Sequence, residues 1–261
     1  MKTGYVQFNP AFGEVNRNLD RVEALIEGAQ ADLLVLPELF NTGYLITSKE
    51  EIAALAEEVP GGPTTRRLAA VAKRRNLHLV AGMAERSGDR IYNAAVLISP
   101  AGHVATYRKV HRFGFGSGEP KLMEAGRGRV VLPLPLQAGG SVMVGLATCY
   151  DLRFPELFRL LGEAGAEAFV VPAAWPLPRV AHWTLLGQAR AIENQCAIIQ
   201  VNTGGTHHNT VMGGNSQVVA AQGEVLGTID GNGEAVLVAT IDLAALADYR
   251  ETFPVLADRR L

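Results

Sequence analysis

The chain has 261 residues, 48% hydrophobic and 19% charged, with 24 basic and 26 acidic side chains. A net charge of −2 and a pI near 6.3, with no long Lys/Arg run, exclude the electrostatic footprint of a nucleic-acid or membrane-surface binder. No apolar run approaches the roughly 18–20 residues that span a bilayer, and two cysteines, Cys149 and Cys196, are too few for a disulfide framework and suit a reducing cytoplasm.

Residues 4–8 read as a short apolar strand, not as the core of a signal peptide. Apolar spacing at Leu19, Val22, Leu25 and Ile26 predicts a helix over 18–29. Residues 33–36 are a continuous apolar run, the pattern of a strand covered on both faces. It ends at Pro37-Glu38. A carboxylate at the C-terminal end of a buried strand sits where α/β sheets place chemistry. Desolvation there raises its pKa, which suits a general base; a capping or salt-bridging glutamate is the structural alternative. Tyr44 follows as a pocket wall or a packing residue. A helix is predicted over 65–76 and strands over 77–81, 94–99 and 103–108, the last two joined by a Ser-Pro-Ala-Gly turn. Lys109 ends the third strand, as an oxyanion- or thiolate-stabilising cation or as an ordinary surface lysine. Glu119 lies in the glycine-rich run Phe113-Gly-Phe-Gly-Ser-Gly-Glu-Pro120. Loops of this kind commonly carry sites; Glu124 competes with it, and a solvated acid is the alternative for either.

In the second half a strand is predicted over 142–148, ending at Cys149. Tyr-Asp-Leu-Arg-Phe-Pro-Glu156 then opens a helix over 154–164, with Pro155 tolerated in its first turn. A strand–turn–helix corner projects one side chain into a cleft and aims backbone N–H groups at the same point. A thiolate there is strongly nucleophilic even when sparsely populated; a buried structural cysteine is an equal alternative. A strand over 168–171, a helix over 182–194 and strands over 196–201, 217–220 and 235–241 follow, with Cys196 read as core. His207 and His208 are adjacent in a Gly/Thr/Asn-rich stretch. Adjacent residues rarely chelate one ion, so they read as solvated loop histidines, and no CxxC or HExxH metal spacing occurs.

The order of the first half thus recurs in the second. Gly28-Ala-Gln-Ala-Asp-Leu-Leu-Val-Leu-Pro37 is similar to Gly165-Ala-Glu-Ala-Phe-Val-Val-Pro172, and the segment from Asn93 to that from Asn215. Chance similarity of generic α/β text is the alternative. A true repeat makes one domain over 1–261, in which each half supplies a sheet with helices outside and the sheets pack face to face. No Pro/Gly/Ser-rich linker divides the halves.

Leu36-Pro-Glu38-Leu-Phe, Tyr107-Arg-Lys109-Val-His and Thr148-Cys149-Tyr-Asp-Leu-Arg-Phe-Pro-Glu156 resemble, in order and approximate spacing, the three signature segments of the nitrilase superfamily of carbon–nitrogen hydrolases. Ala189-Arg-Ala-Ile-Glu-Asn-Gln195, Gly213-Gly-Asn-Ser-Gln-Val-Val and Phe253-Pro-Val-Leu-Ala-Asp-Arg-Arg extend the resemblance over the whole chain. It implies an α/β fold of four αββα layers, with Glu38 as general base, Lys109 as stabilising cation and Cys149 as nucleophile. A second family glutamate precedes an E-x-G element, here Glu124-Ala-Gly126, which points to Glu119.

Such a set cleaves a small aliphatic amide to carboxylate and ammonia through a cysteine thioester, needing no metal, organic cofactor or histidine; His111 is expected to support structure. The backbone N–H of Tyr150 would share the oxyanion with Lys109. Cys149-Tyr-Asp differs from the Cys-Trp-Glu of true nitrilases and resembles amidase branches. Pro172-Ala-Ala-Trp-Pro-Leu-Pro-Arg179-Val-Ala-His-Trp183 is similar to omega-amidase-like members, whose substrates carry a carboxylate. Arg153 or Arg179 would hold it bidentately; otherwise Arg153 braces the helix start at Glu156 and Arg179 is a rim residue. Trp175 joins Tyr44 as a wall of the acyl pocket or as packing. Nitrile or ureido hydrolysis, and a non-catalytic metabolite-binding relative, stand as alternatives. The resemblance also implies a homodimer or larger homo-oligomer.

Overall fold

The computed structural model describes residues 1–44, 48–115 and 117–260. The first half runs β1 (Lys2–Gln7), α1 (Val15–Ile26), β2 (Leu33–Leu36), α2 (Lys49–Leu55), β3 (Glu57–Glu58), α3 (Pro63–Arg75), β4 (His78–Ser87), β5 (Arg90–Ile98), β6 (Val104–Arg108) and the single turn α4 (Glu119–Leu122). The second runs β7 (Val130–Pro135), β8 (Ser141–Leu146), α5 (Pro155–Glu163), β9 (Ala168–Ala173), α6 (Val180–Asn194), β10 (Ala197–Asn202), β11 (Thr206–His207), β12 (Thr210–Val211), β13 (Ser216–Val219), β14 (Val225–Ile229), β15 (Ala235–Thr240) and α7 (Leu243–Thr252). Among the described residues, no helix is long and apolar enough to cross a membrane.

Two sheets form. One has the order β15-β1-β2-β4-β5-β6, with β3 on β4; the other has β14-β13-β10-β9-β8-β7. Read from β15 and from β7, the sheets match strand for strand. In each, an antiparallel edge strand precedes three parallel strands and then two antiparallel ones. The duplicated order read from the sequence is real, with one correction. Residues 235–241 do not complete the second sheet; β14 does so, and β15 crosses to pair with β1, Lys2 opposite Thr240.

The layers follow from side-chain alternation on the strands. On β2, Leu33 and Val35 face the space between the sheets, while Leu34 and Leu36 pack with Leu19, Val22 and Ile26 of α1 and Leu68 and Val71 of α3. α3 starts with Pro63 in its first turn and stops at Asn76, whose φ of 50° is a left-handed cap. On the opposite outer face α5 sets Phe158 edge-on to Phe169 of β9 at 5.2 Å, and α6 buries Trp183 and Ala191. Each fully buried large apolar side chain, such as Phe158, contributes roughly 1.5–3 kcal/mol.

The elements without a sequence signal are physically distinctive. β7 carries Pro133 and Pro135, tolerable because it is an edge strand. β14 has Gly227 at its centre, and α7 buries Leu246 alone, so it shows no apolar stripe.

Candidate active site

Strands from both sheets end at one place. Glu38 follows β2, Lys109 follows β6, Cys149 follows β8, and Ala174 follows β9. Glu38 is 0%, Lys109 1%, Glu119 3% and Cys149 6% exposed. The Lys109 ammonium donates to Glu38 Oε1 at 2.7 Å and to Glu119 Oε1 at 2.8 Å. Glu38 Oε2 accepts the Ala174 N–H at 2.9 Å. Glu119 Oε2 accepts the Phe113 N–H at 2.9 Å, and its Oε1 the Tyr44 hydroxyl at 3.1 Å. The Cys149 thiol points at the Ala174 carbonyl, Sγ to O 4.0 Å. Glu124, the competitor, is exposed.

Two glycines permit this convergence. A Cβ on Gly82 of β4 would lie 2.4 Å from the Glu38 Cα, and one on Gly126 would lie 1.9 Å from the Arg108 carbonyl oxygen. Gly126 can therefore donate its N–H to the Lys109 carbonyl at 2.8 Å. This is what the glycine of Glu124-Ala-Gly126 does here.

Cys149 has φ of +46°, a left-handed conformation that costs a non-glycine residue of order 1–3 kcal/mol. The following turn, Cys149–Arg153, holds it there through Asp151, which is fully buried. Its carboxylate accepts the Thr148 N–H at 3.0 Å, the Tyr107 hydroxyl at 2.7 Å and the His111 N–H at 2.9 Å. His111 also sets Nδ1 2.8 Å from Asp151 and stacks on Phe154 at 3.7 Å, so it braces the corner.

The electrostatics match a buried acid–base pair. Burial raises the Glu38 pKa; Lys109 pulls it down and Glu119 pushes it up, and the net shift is upward. Burial alone would lower Lys109, but the carboxylates of Glu119 and Glu38 outweigh it and keep the ammonium charged well above the ordinary lysine range. Burial, then the Glu38 charge, holds the Cys149 thiol well above its usual value. At rest the proton is on sulfur, so the thiol needs a base at the moment of attack.

Glu119 and Cys149 of the cluster line a cavity of about 330 Å³. All five residues read from the sequence as substrate-facing line it: Tyr44, Tyr150, Arg153, Trp175 and Arg179. Arg153 lies over the Trp175 ring at 4.5 Å and reaches His182 Nδ1 at 3.4 Å. Arg179 lies over Phe113 at 5.9 Å, and the Trp175 indole donates to its carbonyl at 2.8 Å. Among the described residues, neither guanidinium has a carboxylate partner.

Some of the site was not foreseen. Asn93 donates Nδ2 to both Glu38 Oε1 at 2.6 Å and Glu119 Oε1 at 2.9 Å. Met212, Thr210 and His207 form one side of the cavity. His207 corrects the reading of two solvated histidines. It is 6% exposed, and burial lowers its pKa to about 4, whereas His208 is exposed. Cys196 is 0% exposed and sits in the core. Among the described residues, no group of three or more His, Cys, Asp or Glu side chains is placed to hold a metal.

Residues 2–251 match the family model described as carbon-nitrogen hydrolase. A 2-oxoglutaramate amidase of Paenarthrobacter nicotinovorans is 41% identical over 93% of this chain and 83% of its own length. A 2-oxoglutaramate amidase of Bacillus subtilis is 36% identical over 98% of this chain and 96% of its own. The crystal structure of a CN-hydrolase superfamily protein from Xanthomonas campestris, with an arsenic adduct in the active site, superposes with a TM-score of 0.89 at 30% identity, covering 100% of this chain and 97% of that one.

Proposed function

The chain belongs to the carbon–nitrogen hydrolase family, and on that premise we propose how its buried Glu–Lys–Cys cluster works. The protein is an amide-hydrolysing enzyme. Glu38 is its general base, Cys149 its nucleophile, Lys109 its oxyanion-stabilising cation and Glu119 the second acid. The carrying observation is an ammonium fixed between two buried carboxylates beside a thiol in a left-handed corner.

Glu38 takes the thiol proton as Sγ attacks the amide carbonyl. The oxyanion is held by Lys109 and the Tyr150 N–H. Glu38 passes the proton to the nitrogen, ammonia leaves, and a thioester remains on Cys149. Water enters, deprotonated by Glu38 or Glu119, and releases the carboxylate. Holding the reacting groups in a dry site makes each charge count for more than it would in water.

The substrate class is a short linear amide whose far end is a carboxylate. Arg153 and Arg179 at the cavity wall lack an acidic partner among the described residues, and burial, then the charge of Arg179, lowers the Arg153 pKa. An incoming carboxylate relieves that repulsion. The names of the two curated relatives fit this class. The protein also assembles as a homodimer through Leu160 on α5, Leu185 and Ile192 on α6, and Phe253 in the tail, large apolar side chains that are 42%, 65%, 48% and 56% exposed.

Intact-mass spectrometry during turnover of a panel of amides, nitriles and carbamoyl amino acids tests the chemistry. An acyl adduct is expected on Cys149 and none in Cys149→Ala. An adduct that persisted in that variant, or landed on Cys196, would sink the assignment.

A further inference from the structure

Asn93 lies on β5 opposite Ala84 of β4 and is 1% exposed. Its main-chain oxygen accepts the Lys109 N–H at 2.8 Å, and its Nδ2 bonds both carboxylates, so one residue touches all three charged members of the cluster. An amide NH2 has two hydrogens, one for each glutamate. Its Oδ1 has no partner among the described residues. An amide flip would aim that oxygen at two carboxylates, which accept and do not donate, so the carboxylates set the amide's orientation.

The two oxygens of Glu38 are thereby divided. Oε1 is taken by Lys109 and Asn93. Oε2 turns to the Ala174 N–H, and the carbonyl of the same Ala174 is the group that Cys149 Sγ faces. Oε2 is the Glu38 oxygen that Lys109 and Asn93 leave free.

We propose that Asn93 is a positioning residue for proton transfer: with Lys109 it occupies Glu38 Oε1, so that Oε2 takes the Cys149 proton. This rests on the reading of Glu38 as the base. In the step the S–H bond breaks and its proton goes to Oε2. The sulfur electron pair forms the S–C bond, and the carbonyl π pair moves onto oxygen; no other reactant is needed. Asn93 does this without changing the cluster's charge, as an aspartate would.

The test is the pH dependence of kcat and KM for Asn93→Ala and Asn93→Ser, beside wild type and Glu38→Gln. In Asn93→Ala, kcat should fall roughly 10- to 100-fold, the scale of a lost hydrogen bond to a charged group, with KM little changed. The acid limb of the profile should move to higher pH, because Glu38 loses a donor that favours its ionised form. Asn93→Ser, which keeps one donor, should fall between wild type and Asn93→Ala. Acid limbs that coincide with wild type in both variants overturn the proposal, even where the rate drops. If Glu38→Gln keeps the wild-type rate and limb, the reading of Glu38 as base fails instead. A dead Glu38→Gln beside unmoved limbs isolates the failure to Asn93.

Discussion

An ammonium at 1% exposure has lost its water, a penalty of several kcal/mol. Lys109 recovers it from two carboxylates at 2.7 and 2.8 Å. Arg153 and Arg179 are the opposite case, cations at the cavity wall with aromatic faces but, among the described residues, no ion-paired acid. On the proposed reading, the substrate carboxylate is their partner. Arg179→Ala should raise KM for a carboxylate-bearing amide roughly 10- to 100-fold, the scale of one charge-assisted hydrogen bond, and leave KM for an uncharged aliphatic amide nearly unchanged. Steady-state kinetics on the two substrates checks this, and equal KM changes would refute it. At this scale the sequence was informative where a polar residue interrupts an apolar run at a strand end, as at Glu38, Lys109 and Cys149. Asn93 carried no such mark: it lies within β5, and its importance comes from residues 55 and 26 positions away. His207 was misread for the same reason, since its burial arises from long-range packing.

Elements position these groups by close backbone approach. β4 passes beneath the strand-end glutamate only because residue 82 has no side chain. Gly82→Ala would drive a methyl into the Glu38 backbone, with a cost of roughly 1–3 kcal/mol for overpacking. A lowered thermal midpoint is expected, with a larger fractional loss of kcat than of folded protein. Wild-type kcat in a stable Gly82→Ala would show that β4 does not set the glutamate's position. The parallel strands and their covering helices were legible because burial on both faces, or on one stripe, writes a pattern into the chain. Proline-bearing β7, glycine-centred β14 and stripeless α7 had none, and the first two are sheet edges, where pairing is decided by the neighbour.

At the scale of the molecule, the two sheets share one core, and the outer face of α5 and α6 leaves large apolar side chains in solvent. If that face is the dimer contact, Leu185→Glu should give a monomer by light scattering at concentrations where wild type is dimeric; an unchanged mass would remove α6 from the interface. The internal two-fold repeat is complete only when β15 is counted with the first half. That exchange sets an order of events during synthesis. The first sheet, with Glu38 and Lys109 at its strand ends, keeps β1 as a bare edge until residues 235–240 have left the ribosome. A nascent chain truncated before β15 therefore already holds every residue assigned to catalysis, yet it lacks the strand that closes its first layer. Activity is expected to appear only once β15 has emerged and paired with β1, as a nearly all-or-none property.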